Sequence, residues 1–376
     1  MRRLVIAGRV VDDDSEAWVI AEIGHNHQGK LAHAKQLIEL VAAAGAEAVK
    51  LQKRDNRSLY TRAYYERPYS SEDAFAPTYG AHREALEFDW DQYGQLQLLA
   101  QDRGLVFFAT PFDPPSVEFL ARLEVPCLKI ASGCLTDTGL IEQAAAVGVP
   151  LLISTGGAQD LTDVQRAYGV ARRHLGADQV AVLQCTALYP CPYSELDLRV
   201  IETYRRELPE AVIGLSSHDM GIFTGAVAYA LGARVFERHL TSNQVIRGND
   251  HAFSLTPVGL RNLVQELRNT RLALGQAEKR RHEGEQEAVH KMGKSLYSAR
   301  ELEAGHVLRA EDIAVKSPGG FLPPYFAPAL VGWELGGRMV AEEPFHPHQV
   351  RTALWHWCGV TGERYPAELV GPGDQV

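Results

Sequence analysis

Two histidines follow neighbouring apolar runs of the chain. His218 comes shortly after the run 211–215, and His239 comes shortly after the run 234–236. The Ala/Gly-rich segment 221–232 between them has the composition of a crossover helix, so the two runs predict parallel strands of one βαβ unit. Two neutral imidazoles at the carboxyl ends of such strands would bind a divalent transition-metal ion and leave positions open for water and substrate. The alternative is that the two histidines are unrelated polar ends of strands.

A second group of polar residues also falls at the ends of apolar runs. Lysine is rare inside a protein unless it meets an anion, and Lys50 and Lys129 both lie within or near such runs. Hydroxyl side chains at neighbouring run ends can donate to phosphate or carboxylate oxygens. Together they predict an anion site, unless each lysine reaches solvent along its own stem. The residues of this predicted site are Lys50, Gln52, Thr110, Lys129, Ser132, Ser154 and Ser216.

A carboxylate also stands within the first long apolar run, because Glu22 is flanked by Ala21 and Ile23. A charge at such a position is costly unless a cation or hydrogen bonds meet it. Glu22 is therefore either linked to a metal or to proton transfer, or it forms a structural pair with a lysine.

Eight apolar runs of strand length must position these residues, and amphipathic segments separate the runs. Eight strand–helix repeats predict an α/β protein with a closed (β/α)₈ TIM barrel, whose active site lies at the carboxyl ends of the strands. An open doubly wound sheet is the alternative, but that fold is typically marked by GxGxxG after its first strand, where this chain has GHNHQG. The predicted strands are 18–23, 48–52, 105–109, 127–131, 150–154, 180–185, 211–215 and 234–236, and the predicted helices include 30–44, 91–103, 116–123, 138–147, 160–175, 221–232 and 258–274.

The chain has 376 residues, which leaves room for a second domain beside a barrel of about 250 residues. Residues 1–275 form the predicted barrel domain, interrupted by an insertion at 54–87 in which aromatic and charged residues alternate. Such an insertion predicts a lid over the catalytic face, or else a surface excursion without a role. The charged segment 276–290 predicts a linker, residues 291–352 a small β-rich domain, and residues 353–376 a C-terminal extension.

The composition excludes several classes of protein. A formal net charge of −9 offers no basic surface for nucleic acid, and no apolar run is long enough to cross a membrane. Arg2 and Arg3 precede only a short apolar stretch, so no signal peptide is expected. The five cysteines show no CxxC pair and no disulfide spacing. We therefore expect a cytoplasmic protein with reduced thiols.

Motifs lie at almost every predicted strand end. In order along the chain they are AEIGHNHQG, AVKLQK, ATPFD, LKIASG, LISTGG, LQCTALYPCPY, IGLSSH, ERHLT and GNDHAFSL. This series resembles the sialic acid synthases (N-acetylneuraminate synthase family) over about residues 17–350. Within that range, residues 291–350 resemble the antifreeze-like (SAF) domain of those enzymes.

The resemblance implies a metal-dependent transferase that condenses phosphoenolpyruvate with an open-chain, N-acetylmannosamine-like sugar aldehyde. The products would be a 2-keto-3-deoxy sugar acid and inorganic phosphate. By this resemblance, His218 and His239 bind the metal ion, which would be Mn²⁺, Mg²⁺ or Co²⁺, and Glu22 is the catalytic acid beside the metal and the aldehyde. Tyr189 and Asp250 match sugar-contacting positions, and the residues of the predicted anion site hold the carboxylate and phosphate of phosphoenolpyruvate.

The resemblance also implies a domain-swapped homodimer, in which the terminal domain of one chain covers the barrel of the other. Packing of that domain within its own chain is the alternative.

Three positions depart from the family pattern. Ala187 replaces an asparagine in LQCTALYP, Cys134 replaces an acidic residue in KIASGC, and Ser317 replaces an arginine in KSPG. Each change affects the sugar or the edge of the anion site more than the metal, so the reaction class is expected to hold while the acceptor sugar stays open. The alternatives are a related synthase that uses a non-N-acetylated or phosphorylated aldose, and a non-catalytic sugar-binding protein.

Overall fold

A computed structural model describes residues 2–349 and 353–354 of the chain. The chain forms two compact units, Met1–Gly275 and Gln276–Val376. In the described part of the chain, no helix has both the length and the apolar character needed to cross a membrane. Four cysteines, Cys127, Cys134, Cys185 and Cys191, are free thiols, and all four are buried.

The first unit begins with an antiparallel hairpin of β1 (Arg3–Ile6) and β2 (Arg9–Asp12). Eight parallel strands then close into a barrel, in which the last strand pairs with the first. The predicted TIM barrel is therefore confirmed. Its strands are β3 (Trp18–Gly24), β4 (Ala48–Lys53), β5 (Val106–Pro111), β6 (Leu128–Ile130), β7 (Leu151–Ser154), β8 (Val180–Gln184), β9 (Val212–Ser216) and β10 (Val235–His239).

Helices connect the strands and cover the outside of the barrel. Several of them begin at an aspartate whose side chain accepts a hydrogen bond from the first turn, as Asp113 does from Ser116. The helices of this unit are α1 (Leu31–Ala44), α2 (Asn56–Leu59), α3 (Arg62–Glu66), α4 (Tyr79–Glu84), α5 (Trp90–Asp102), α6 (Pro114–Arg122), α7 (Thr138–Ala146), α8 (Leu161–Ala171), α9 (Val200–Glu207), α10 (Phe223–Ala230) and α11 (Pro257–Leu274).

Two features of this unit go beyond the sequence predictions. The insertion 54–87 contains the three short helices α2, α3 and α4. Helix α9 is not among the helices named from the sequence; it is mostly polar, and only Ile201 and Tyr204 are buried in it.

The pairing of the strands places polar residues side by side at the carboxyl end of the barrel. Glu22 in β3 lies opposite Lys50 in β4 and opposite His239 in β10. Glu237 in β10 lies opposite Ser216 in β9. Strand register alone therefore brings together residues that are far apart in the sequence.

The second unit has its own hydrophobic core, which includes Leu296, Phe326 and Phe345. It contains α12 (Gln286–Met292), the antiparallel strands β11 (Ser295–Ser298) and β12 (Ile313–Lys316), and α13 (Ala327–Leu330). Helix α12 begins inside the segment predicted as a linker. Of the predicted extension 353–376, only Ala353 and Leu354 are among the described residues, and both are buried in this core. The domain-swapped homodimer stays a prediction.

Candidate active site

A cavity of about 650 Å³ opens at the carboxyl ends of the barrel strands. This volume falls in the usual range for sites that bind small molecules. Every residue that the sequence predicts for the site lines this cavity. These residues are Glu22, Lys50, Gln52, Thr110, Lys129, Ser132, Ser154, Tyr189, Ser216, His218, His239 and Asp250.

The deepest charges form what we call the lysine cluster, which consists of Lys50, Lys129, Glu22 and Glu237. Lys50 pairs with Glu22, and its Nζ lies 3.5 Å from Oε1 of Glu237. The Nζ of Lys129 lies 3.7 Å from the other oxygen of Glu237. All four side chains are buried, so two lysines and two glutamates balance one another in the barrel interior.

Burial and ion pairing oppose one another in the lysine cluster. Burial by itself would lower the pKa of Lys50, but Glu22 and Glu237 outweigh it and raise that pKa above its ordinary value. For Lys129, burial outweighs the attraction of Glu237, so the pKa of Lys129 is lowered below its ordinary value. Burial would raise the pKa of Glu237, but Lys129 and Lys50 hold it below its ordinary value.

Hydroxyl groups complete the anion-binding character of the lysine cluster. The Nζ of Lys50 donates to the Thr110 hydroxyl at 2.7 Å, and the Nζ of Lys129 donates to the Ser154 hydroxyl at 2.6 Å. The Ser132 hydroxyl accepts from the backbone N–H of Gly156 at 3.1 Å. The cavity therefore offers two ammonium groups and several hydroxyl donors to an anion.

His218 and His239 lie next to each other, with their ring centroids 5.3 Å apart. The Nδ1 of His218 lies 3.3 Å from the carbonyl oxygen of Thr186. Because a carbonyl only accepts, Nδ1 carries the proton and Nε2 keeps its lone pair. Burial and the neighbouring His239 lower the pKa of His218 to about 3, so its ring is neutral at ordinary pH.

The histidine pair fits the predicted metal site in its donor chemistry. The Nδ1 of His239 is buried without a hydrogen-bond partner, and it lies 3.7 Å from Oδ2 of Asp250. Since metal–nitrogen bonds are about 2 Å long, two rings at this separation can share one ion. The described residues contain no group of three or more His, Cys, Asp or Glu side chains placed to hold a metal ion. A bound ion would therefore complete its coordination with water or substrate.

Two predicted sugar-contacting residues flank the histidine pair. The ring of Tyr189 lies 4.1 Å from the ring of His218, measured between centroids. Asp250 lies on the other side, beside His239. The Phe253 ring packs against both imidazoles, with centroids 5.5 Å from His218 and 5.1 Å from His239. These aromatic contacts fix the orientation of the two imidazoles.

A second cationic group lines the cavity, and its two arginines are absent from the sequence predictions. We call Arg54, Arg83 and His25 the arginine cluster. The Nη1 of Arg54 lies 3.1 Å from Nε2 of His25, and the Nη1 of Arg83 lies 3.1 Å from Nδ1 of the same ring. Both arginines come from the insertion 54–87, and the only advance sign in the sequence is the alternation of charged and aromatic residues there.

Two family models match this sequence. The model described as the NeuB family matches residues 37–279. The model described as the SAF domain matches residues 293–351.

Individual proteins extend the same similarity over most of the chain. The N-acetylneuraminate-9-phosphate synthase of Homo sapiens is 37% identical over 318 residues, which cover 84% of this chain and 88% of that protein. The N,N'-diacetyllegionaminic acid synthase of Legionella pneumophila is 32% identical over 328 residues, or 86% of this chain and 92% of that one. The crystal structure of N-acetylneuraminic acid (sialic acid) synthetase from Leptospira borgpetersenii superposes with a TM-score of 0.66 at 28% identity, covering 77% of this chain and 95% of that one.

Proposed function

Because the chain belongs to the NeuB family, we propose that its barrel cavity condenses phosphoenolpyruvate with an open-chain sugar aldehyde. The products are a 2-keto-3-deoxy sugar acid of the nonulosonic type and inorganic phosphate. The observation that carries this proposal is the joining of the lysine cluster and the histidine pair through strand register, since Glu22 lies opposite both Lys50 and His239.

The lysine cluster supplies the site for phosphoenolpyruvate. Its phosphate and carboxylate are anions, and Lys50 and Lys129 are buried cations that line the cavity. The hydroxyls of Thr110 and Ser154 already accept from these ammonium groups, so both lysines are held in place before the substrate arrives. Such fixed donors orient the enol carbon toward the aldehyde.

His218 and His239 are the residues that would hold a divalent ion, of the Mn²⁺, Mg²⁺ or Co²⁺ type. Such an ion supplies Lewis acidity, which polarises the carbonyl oxygen of the aldehyde. The contact between His218 and the carbonyl of Thr186 directs the free ring nitrogen toward this role.

Glu22 is placed to handle the proton of the new hydroxyl group. The enol carbon forms a bond to the aldehyde carbon, and the aldehyde oxygen takes up a proton. Water then adds to the phosphate-bearing carbon, and the bond from that carbon to the phosphate oxygen breaks. Glu22 accepts hydrogen bonds from Lys50 and Gln52, so a carboxyl group beside the aldehyde stays connected to a proton donor.

Phosphate release from phosphoenolpyruvate tests this proposal. The protein is incubated with phosphoenolpyruvate, Mn²⁺ and a panel of hexosamine aldehydes, and the mass of the product is measured by mass spectrometry. We expect aldehyde-dependent phosphate release and a product that contains the aldehyde plus the pyruvyl carbons. Glu22→Gln should lower kcat by a factor of about 100 or more, because general acid–base catalysis typically contributes that much.

A matched control for Glu22→Gln is Glu39→Gln, whose carboxylate pairs with Arg103 on the outside of the protein. That variant should keep full activity. Undiminished turnover of Glu22→Gln would remove Glu22 from proton transfer. Absence of phosphate release with every aldehyde would overturn the proposed reaction.

A further inference from the structure

A buried arginine separates Glu237 from His239 in strand β10. Side chains along a strand alternate between the two faces of the sheet. Glu237 and His239 line the cavity, so Arg238 between them points to the outer face of the barrel. It is buried there, with 3% of its surface exposed. A guanidinium keeps its charge in proteins, so a buried one needs a partner that compensates it.

The partner of Arg238 is Asp219, the residue directly after His218. The Nη2 of Arg238 donates to the backbone carbonyl of Asp219 at 2.7 Å, and its Nη1 lies 3.8 Å from Oδ1 of the Asp219 carboxylate. The Asp219 side chain is fully buried, and its Oδ2 accepts from the hydroxyl of Thr224, in the first turn of α10, at 2.9 Å. We call Arg238 and Asp219 the outer ion pair. One guanidinium thus compensates the Asp219 charge and holds the Asp219 backbone.

Each member of the outer ion pair is the sequence neighbour of one histidine of the predicted metal site. The pairing of β9 with β10 extends to the N–H of Ser217, which donates to the carbonyl of Glu237 at 3.2 Å. Beyond that bond, the outer ion pair joins the segment that carries His218 to the strand that carries His239. This contact lies on the outer side of the barrel, and the imidazoles lie on the inner side.

Other contacts orient His218 without joining it to β10. Its Nδ1 lies 3.3 Å from the carbonyl oxygen of Thr186, and its backbone carbonyl accepts from the N–H of Cys191 at 3.1 Å. Both partners belong to the segment after β8, which is the strand on the far side of β9. These contacts therefore set the orientation of the ring, and the outer ion pair is placed to set its distance from His239.

We propose that the outer ion pair fixes the separation of His218 and His239 and thereby sets the affinity of the barrel for a divalent ion. This inference rests on the proposed function, in which the two imidazoles would hold the ion. Arg238 and Asp219 are positioning residues, since they act through the histidines beside them. The alternative is that the pair only stabilises the packing of α10 on the barrel.

Calorimetric titration of the full-length protein with Co²⁺, without substrates, tests the inference. Co²⁺ is the probe because it binds nitrogen ligands more tightly than Mn²⁺ does. We expect Arg238→Met to weaken Co²⁺ binding by about tenfold or more, the effect typical of losing a group that positions a metal ligand. Arg238→Lys keeps the charge and can still donate to the carbonyl of Asp219, so it should recover part of the affinity.

A double variant separates positioning from stability. Arg238→Met alone leaves Asp219 as a buried charge without its cation, which should lower the free energy of unfolding. In Arg238→Met combined with Asp219→Asn neither charge remains, so the stability to urea should partly recover. The bond to the Asp219 carbonyl is still missing, so the Co²⁺ affinity should stay low. An affinity that recovers in step with stability would overturn the inference and leave a purely structural pair.

The matched control is Arg234→Met, at the other end of β10. The Arg234 guanidinium is half-buried and also donates to backbone carbonyls, those of Asp13 at 2.6 Å and Tyr229 at 3.1 Å. This variant should leave the Co²⁺ affinity unchanged. Binding of phosphoenolpyruvate in the presence of EDTA is the second readout, and Arg238→Met should change it by no more than about twofold. If Arg238→Met weakens both ligands equally, or Arg234→Met weakens Co²⁺ as much as Arg238→Met does, the damage is general and the inference fails.

Phosphate release separates this inference from the proposed function. If the wild-type protein condenses phosphoenolpyruvate with an aldehyde but Arg238→Met binds Co²⁺ as tightly as wild type, or wild type binds no Co²⁺, the inference is overturned and the reaction stands. If no aldehyde supports phosphate release while the Co²⁺ affinities follow the expected order, the reaction fails and the positioning role stands.

Discussion

The two cationic clusters of the cavity differ in how their charge is compensated. In the lysine cluster, two ammonium groups share two buried glutamates, and strand residues supply all four side chains. In the arginine cluster, two guanidinium groups surround a neutral imidazole, and both come from the insertion 54–87.

The two clusters therefore suit different tasks, since the lysine cluster suits proton transfer and the arginine cluster suits ligand recognition. Lysines and glutamates exchange protons within an accessible pH range, and their pKa values respond to each other, as Lys50 and Lys129 show by shifting in opposite directions. Arginine keeps its charge throughout that range and offers a fixed pattern of donors. The rigid strand ends therefore suit the reacting groups, and the insertion suits a part of the substrate that differs among relatives.

The largest expected contrast is in stability. Lys50→Met leaves Glu22 and Glu237 without their nearest shared cation, and breaking a buried ion pair in this way should lower the free energy of unfolding by about 3–5 kcal/mol. Arg54→Met removes a charge that lacks a carboxylate partner and keeps much of the packing, so we expect a change of about 1 kcal/mol or less. Urea unfolding of both variants without ligands measures the contrast.

A triple variant provides the control, since Lys50→Met combined with Glu22→Gln and Glu237→Gln removes the unpaired carboxylate charges and should recover part of the stability. Similar losses for Lys50→Met and Arg54→Met would show that the arginine is compensated as well as the lysine is, and the comparison would fail.

The strand ends could be predicted because barrel strands are buried on both faces and read as apolar runs. Strand β10 is the instructive case. Its apolar run covers only 234–236, but the strand continues through Glu237 to His239. The buried charge of Glu237 is tolerated there because Lys50 from β4 and Lys129 from β6 approach it, although neither of these strands pairs with β10. Such compensation depends on contacts between distant residues, which a local pattern does not contain.

For Glu22, the sequence left open a structural pair with a lysine or a chemical role. The structure contains the pair with Lys50 and also places both side chains in the cavity wall, so the two alternatives are not exclusive.

The arginine cluster could not be predicted for a different reason. Arg54 and Arg83 lie at opposite ends of the insertion, and they meet at His25 only once helices α2, α3 and α4 have folded. The sequence of the insertion has no hydrophobic periodicity that would predict the contact of both arginines with His25. His25 lies within the motif AEIGHNHQG, but Arg54 and Arg83 lie outside the motifs that carry the resemblance.

The smallest expected effect concerns pH and the lysine cluster. Burial lowers the pKa of Lys129, so its charge is lost at a lower pH than that of an ordinary lysine, while Lys50, with its raised pKa, stays charged. As pH rises into the alkaline range, the KM for phosphoenolpyruvate should therefore increase a few-fold. An arginine at this position keeps its charge, so in Lys129→Arg the increase of KM at alkaline pH should disappear. This holds even if the different geometry changes the KM at neutral pH. If the KM of Lys129→Arg still increases at alkaline pH, another group is responsible for the increase, and burial of Lys129 is not linked to substrate binding.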